Sequence, residues 1–268
     1  MAIGTNTRVV VLGGTSGIGL ATAKAAAAAG ASVVVASHNA TKVRSAVAQL
    51  PTGSEGYPVD ASSSEELAAL FEQVGEFDHL AYTAGDNLVP LTLDAYTPAQ
   101  GRAFLELRVV SALEAVRLAM PHLRPGGSVT LTSGTAAYRG GAGWFLGSAA
   151  SGAIVSAARS LAVELAPIRV NVVAPGVVRS PLWTALPGAD REAMFESVGA
   201  GLPLRRVAEV EDVAKAFLHL MDNDYLTGTV SVVDGGTLAA CSDVRCRRSG
   251  SPSYAVRVLV GRRIMARD

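Results

Sequence analysis

The stretch Val9–Gly19, reading VVVLGGTSGIG, constrains this chain more than any other. Four apolar residues, three of them valine, run into glycines and then open an alanine-rich segment, Leu20–Ala29. That order is a buried strand, a tight turn and a helix start. Gly13, Gly17 and Gly19 have the spacing G-x-x-x-G-x-G. Glycine admits positive φ and lets a ligand come close to backbone. The helix that follows aims unpaired N–H groups and a partial positive charge at the turn, which suits a pyrophosphate. Gly13, Thr15, Ser16, Gly17, Ile18 and Gly19 are therefore expected to hold a dinucleotide.

Strand-like and helix-like segments alternate along the rest of the chain. Strands are expected at Val9–Leu12, Ser32–Ala36, Gly56–Val59, His79–Thr83, Ser128–Thr132, Arg169–Val173 and Thr229–Val233. Helices are expected at Leu20–Ala29, Thr41–Leu50, Ser64–Val74, Ala99–Leu123, Leu146–Leu165 and Val210–Met221, with the stretch between Val173 and Val210 irregular. Strands separated by helices imply parallel βαβ units with right-handed crossovers. Both faces of such a sheet are covered, so its strands read as continuous apolar runs, as these do. The expected fold is one α/β domain, a doubly wound parallel sheet between two helical layers.

Charge divides the chain in two. The whole has formal net charge zero, but from Cys241 onward there are seven arginines and two aspartates, so residues 1–240 carry a net −5. An acidic body gives no sign of nucleic-acid binding. The domain is expected to span 1–240, and 241–268 to be a poorly packed basic extension. The two cysteines, Cys241 and Cys246, make neither a disulfide framework nor a metal site, and His79, His122 and His219 lack ligand spacing. No targeting segment and no unbroken apolar run of membrane-spanning length is expected, which points to a cytoplasmic protein with no membrane partner.

Five segments together resemble the short-chain dehydrogenase/reductase family. GGTSGIGLATAKAAAAAGASVVVASHN is similar to its nucleotide-binding opening, and Asp60 in GYPVDASS matches an acid that contacts adenine. Ala84-Gly85 matches the end of its N-A-G motif, RSLAVELAPIRVNVVAPGVV its helix-to-strand region, and EVEDVAKAFLHL with YLTGTVSVVDGG its C-terminal signature. The resemblance covers about residues 7–240 and implies a Rossmann-type fold. It also implies a homodimer or homotetramer, assembled through the helix at Leu146–Leu165 and the long helix before it.

An acid ending the second strand would bind a ribose 2′-hydroxyl and repel a 2′-phosphate. Here that place reads Ser37-His38-Asn39, with Lys42 and Arg44 nearby. NADP(H) is therefore expected over NAD(H), although the family's usual arginine is missing too and the triplet also reads as a polar turn. The resemblance places Asp60 and Ala61 at the adenine and Ala84 and Gly85 along the cofactor. It places Pro175, Gly176, Val178 and Ser180 toward the nicotinamide end. Leu12 stands where the family has threonine, and Thr83 where it has asparagine.

The family's chemistry uses a tyrosine acid/base, a lysine that lowers its pKa, a serine that holds the substrate oxygen, and an asparagine that supports a proton relay. Anchored on Ser160–Leu165, the tyrosine position is Gly147 and the lysine position Ser151; the asparagine position, counted from Pro121, is Arg108. Ser133 matches the serine. Tyr138, five residues on, is an alternative acid or a surface residue, and Arg108 is either a site cation or a salt-bridge partner of Glu106 or Asp86. Trp144, Phe145, Leu146, Trp183 and Leu186 flank the expected cleft and suit a small apolar carbonyl or alcohol substrate. The resemblance implies an NADP(H)-dependent oxidoreductase with a non-standard acid/base. The alternatives are a non-catalytic NADP(H)-binding subunit, or a lyase or isomerase using Arg108.

Overall fold

A computed structural model describes residues 3–88 and 90–240. The expectations for Cys241, Cys246 and the basic extension lie outside these residues. Seven parallel strands form the central sheet: β1 (Arg8–Leu12), β2 (Ser32–Ser37), β3 (Glu55–Pro58), β4 (Phe77–Tyr82), β5 (Leu123–Thr132), β6 (Arg169–Pro175) and β9 (Val230–Val233). Their order is β3-β2-β1-β4-β5-β6-β9. The order reverses between β1 and β4, and open parallel sheets bind ligands at the carboxyl ends of strands at such a point. A second, two-stranded sheet pairs β7 (Val178–Arg179) with β8 (Ala208–Glu209).

Eight α-helices complete the described residues: α1 (Gly17–Ala28), α2 (Ala40–Val47), α3 (Ser64–Val74), α4 (Pro98–Leu105), α5 (Ser111–Ala119), α6 (Phe145–Glu164), α7 (Gly188–Gly201) and α8 (Val210–Asp222). Side chains alternate across the sheet and build one core on each face. Val10, Leu12, Leu80, Tyr82, Val129, Leu131 and Val172 pack with α3, α5 and α6. Val9, Val11, Val33, Val35 and Val173 pack with α1 and α8.

Two expectations change. The segment read as one helix over Ala99–Leu123 is α4 and α5 joined by a π-helical turn, Glu106–Val110. No proline or glycine marks that turn, so spacing alone gave no warning of it. Second, α6 is long and apolar enough to cross a membrane by length and composition, with mean hydropathy 1.3, where no such run was expected. Its buried residues, Ala150, Ile154, Val155, Ala158 and Ala162, pack against the sheet.

The 3₁₀ turn Pro181–Trp183 and α7, absent from the sequence reading, form a smaller apolar cluster. Trp183, Phe195 and Val207 are buried there against Leu88, Trp144, Leu182 and Met194. This layer lies over the carboxyl end of the sheet, where the glycine turn also sits.

Candidate active site

The turn after β1 is held by backbone. Gly13 and Gly14 donate to the Ala36 carbonyl at 2.8 and 3.3 Å. Gly13 has φ +80°, and a Cβ there would fall 2.6 Å from the Ala84 nitrogen. A Cβ on Gly19 would fall 2.3 Å from the Gly13 carbonyl oxygen and 2.4 Å from Thr83 Oγ1. Both sites admit only glycine. Thr83 itself donates to the Leu12 carbonyl at 2.8 Å, tying the ends of β1 and β4 together. The threonine thus supplies the cross-strand support that its departure from the family pattern put in question.

Helix α1 begins without a cap. Ser16 makes no side-chain capping bond, and the first turn carries no acid. The first N–H bonded back within this turn is that of Leu20, to Ser16 at 3.1 Å, so those of Gly17, Ile18 and Gly19 remain for an anion. A Cβ on Gly17 would lie 3.4 Å from Pro181 and 3.6 Å from Ser180, so the segment after β7 roofs this cradle. A nucleotide diphosphate fits it: open donors, a close backbone and no competing carboxylate.

At the end of β2, Ser37 is half-buried and His38 exposed. Asn39 accepts from the Lys42 nitrogen at 2.9 Å and caps α2. Asp60 accepts from the Ser62 nitrogen and hydroxyl, and those bonds hold its carboxyl below the usual carboxylate range. Ala61 and Ala84 pack at the edge of the core, and Gly85 is exposed beside them. The sequence-expected cofactor residues thus lie along the carboxyl ends of β1, β2, β3 and β4.

The far end of the groove is built from β5, β6 and α6. A Cβ on Gly134 would be 3.4 Å from Ser151 Oγ and 3.7 Å from the Pro175 carbonyl oxygen. The Ser133 hydroxyl donates to the Ser151 carbonyl at 2.9 Å. Gly176 packs on Asp234, and the buried Val178 accepts from Trp183 Nε1 at 3.1 Å. Ser133, Ser151 and Pro175 therefore converge, with Gly147 one helical turn before Ser151 on the same face.

Beside Gly147 lies a cavity of about 180 Å³ lined by Asn87, Leu88, Pro90, Leu91, Gln100, Phe104, Gly143, Trp144, Leu146 and Gly147. None of these side chains titrates. Helix α6 starts here without a side-chain cap on Trp144. Loops stitch the rim: Leu88 donates to Leu182 at 3.2 Å, Leu91 donates to Gly143 at 2.9 Å, and Thr184 Oγ1 lies 3.0 Å from the Asn87 side chain and 2.9 Å from the Pro181 carbonyl. Trp144 meets Trp183 edge to face with centroids 6.0 Å apart. Gln100, Asn87 and Phe104 were not singled out in the sequence, where nothing marks them.

Two expected catalytic residues sit differently. Tyr138 is 46% exposed and does not line the cavity. Arg108, in the π-helical turn, donates through Nη2 to the Asp86 carbonyl at 2.6 Å and pairs through Nη1 with the Asp86 carboxylate. Its guanidinium also lies 4.1 Å from the centroid of Phe104. Arg108 is thus the salt-bridge partner of Asp86 and positions the cavity wall. Beneath the same turn the buried Tyr82 donates to the Leu107 carbonyl at 2.6 Å, and burial pushes its phenol pKa up.

A model of the family described as enoyl-(acyl carrier protein) reductase matches residues 13–237. A short-chain dehydrogenase/reductase of an Acremonium species, ucsE, is 35% identical over 251 residues, covering 87% of this chain and 95% of that protein. The chain belongs to the short-chain dehydrogenase/reductase family. Carbonyl reductase family member 4 of Xenopus laevis is another relative, 30% identical over 234 residues, covering 84% of this chain and 95% of that protein. A crystal structure of a small-chain dehydrogenase in complex with NADPH is 35% identical, with a TM-score of 0.78 over 87% of this chain and 99% of that one.

Proposed function

We propose that this member of an oxidoreductase family is an NADP(H)-dependent enzyme that interconverts a small apolar carbonyl compound and its alcohol. The observation that carries the reading is the cradle: Gly13 and Gly19 pressed onto Ala84 and Thr83, with the uncapped start of α1 facing Ser180. The NADPH complex of the 35% identical structure supports it, as does the carbonyl reductase among the relatives. The absence of an acid in Ser37-His38-Asn39 supports the phosphorylated cofactor.

The bound nicotinamide would supply a hydride; the chain's own residues do the rest. Gly17, Ile18 and Gly19 would hold the diphosphate, and Pro175, Gly176, Val178 and Ser180 would border the ring. The apolar cavity beside Gly147 seats the substrate. Ser133 turns its hydroxyl from the Ser151 carbonyl to the substrate oxygen, giving up one hydrogen bond for another. With glycine at 147, serine at 151 and no titratable side chain in the lining, the acid/base is non-standard, and the proton reaches the oxygen from water at the cleft mouth. Assembly as a homodimer or homotetramer through α6 and the α4–α5 segment before it accords with Val110 in the π-helical turn, 52% exposed, and Val163 on α6, 81% exposed.

Calorimetric titration with NADPH and NADH tests the cofactor, with NADPH expected to bind at least roughly tenfold tighter, or about 1.4 kcal/mol. Equal affinities would refute the preference. The same unionisable lining favours a second reading, a nucleotide-binding subunit without catalysis. NADPH binding with no oxidation of NADPH across an aryl-ketone panel would select it.

A further inference from the structure

We propose that the cavity beside Gly147 selects ligands with an aromatic or apolar body and a second hydrogen-bond acceptor, which Gln100 and Trp144 read by donation. The proposal rests on the cavity being the substrate site. Its polar side chains are wired asymmetrically. Gln100 Oε1 accepts from the Thr97 nitrogen and from Thr97 Oγ1, both at 2.9 Å, as the N3 member of the α4 capping box. A backbone N–H can only donate, so the amide is fixed with its oxygen toward Thr97. That leaves Gln100 Nε2 with no partner among the described residues. Trp144 Nε1 is a second such donor, and it cannot accept. Apart from Asn87, the remaining lining side chains are carbon, chiefly Leu88, Leu91, Phe104 and Leu146.

Such a wall rewards a carbonyl or ether oxygen on the far side of the reacting group and gives nothing to a hydrocarbon. A ligand that buries a donor against it sets that donor against the N–H groups of Gln100 and Trp144, and unmet buried donors are costly. Capping geometry holds Gln100 at this wall, so its preference is built into the start of α4 and does not depend on a mobile side chain.

Two ketones of near-equal shape separate the idea from simple apolar fit: 1,4-diacetylbenzene, which has a second carbonyl, and 4′-isopropylacetophenone, which has none. Binding to the NADPH-loaded protein is read by quenching of tryptophan fluorescence, independently of turnover. The diacetyl compound is expected to bind roughly tenfold tighter. Gln100→Glu keeps an oxygen for the capping box but replaces the donor by an acceptor. It should erase that preference while changing the isopropyl compound's affinity and the melting temperature little. Equal affinities in the wild type, binding of neither ketone, or a preference that survives Gln100→Glu overturns the proposal. Retained preference without any turnover supports it and instead removes the hydride-transfer reading.

Discussion

Arg108 grips Asp86 twice, once at the backbone carbonyl, 2.6 Å from Nη2, and once at the carboxylate. The two residues are far apart in sequence, and between them they fix the loop that follows β4. Asp86 precedes Asn87 and Leu88, which line the cavity, and Arg108 stacks on Phe104, which lines it too. A cation at the π-helical turn therefore sets the shape of the wall from outside it.

Arg108→Ala should loosen that wall and leave the cofactor cradle intact. Hydrogen bonds to charged groups contribute about 1.5–3 kcal/mol each way they are counted. Aryl-ketone affinity is expected to fall about tenfold and the melting temperature by a few degrees, with NADPH affinity unchanged. Calorimetry on both ligands checks this, and an equal loss for NADPH would mean that Arg108 acts on the fold as a whole. Arg108→Lys should recover little, because a point charge cannot make both contacts in the same plane.

Ser133→Ala probes the one expected catalytic residue that the fold brings to the convergence of β5, β6 and α6. Its hydroxyl now bonds the Ser151 carbonyl at 2.9 Å, so the variant loses about 1 kcal/mol of stability. If Ser133 also steadies the substrate oxygen, kcat should fall about 10²-fold, the usual cost of a lost oxyanion donor. Steady-state oxidation of NADPH with an aryl ketone measures it. A fall of less than threefold, with the protein folded, would remove Ser133 from the chemistry.

The central strands of the sheet were legible because parallel strands are buried on both faces and read as unbroken apolar runs, as Val9–Leu12 does, whereas the edge strand β3, Glu55–Pro58, is only partly buried and has no such run. Helix α7 was not, because only Phe195 and Gly199 are buried on it and its apolar stripe is too thin to stand out. The π-helical turn at Glu106–Val110 hid because neighbouring contacts, here Tyr82 on the Leu107 carbonyl, decide it. In the site, glycines whose Cβ atoms would collide were readable from spacing, and Asp86 was named as a partner for Arg108. Gln100 was not, since its role follows from which oxygen Thr97 holds, a matter of fold and not of pattern.

His79 gives the protein an acid-sensitive core. It is fully buried on β4, 2.9 Å from Ser128 Oγ, and its pKa is lowered to about 4, first by burial and then by the nearby Arg169, against an opposing pull from Asp78. A histidine whose folded pKa lies below its unfolded value of about 6.5 takes up a proton first in the unfolded chain. Its contribution is therefore whole above pH 6.5 and declines as pH falls toward 4. The loss amounts to about 3 kcal/mol at most. Urea unfolding at pH 7 and pH 4.5 should show it, and His79→Gln should flatten that part of the profile. An unchanged profile in the variant would place the acid sensitivity elsewhere.

Gly147→Tyr with Ser151→Lys asks whether the pocket lacks only its acid/base. A Cβ at 147 would meet nothing nearer than Trp144 at 3.7 Å, so a tyrosine is admitted at the start of α6. Ser151 Oγ already stands beside Gly134 and the Pro175 carbonyl, where a lysine stem can run along the groove. The two positions are one turn apart, so the ammonium lies near the phenol and lowers its pKa. A positioned acid/base contributes about 10²–10⁴ in rate. Ketone reduction by the double variant should rise at least 10²-fold and acquire a pH profile governed by the new tyrosine, while Gly147→Tyr alone should gain less. A double variant that binds NADPH and ketone as the parent does, yet turns over no faster, would show that the bound ketone is not seated with its carbonyl toward α6, and the substrate would have to be sought among compounds that need no proton at that place.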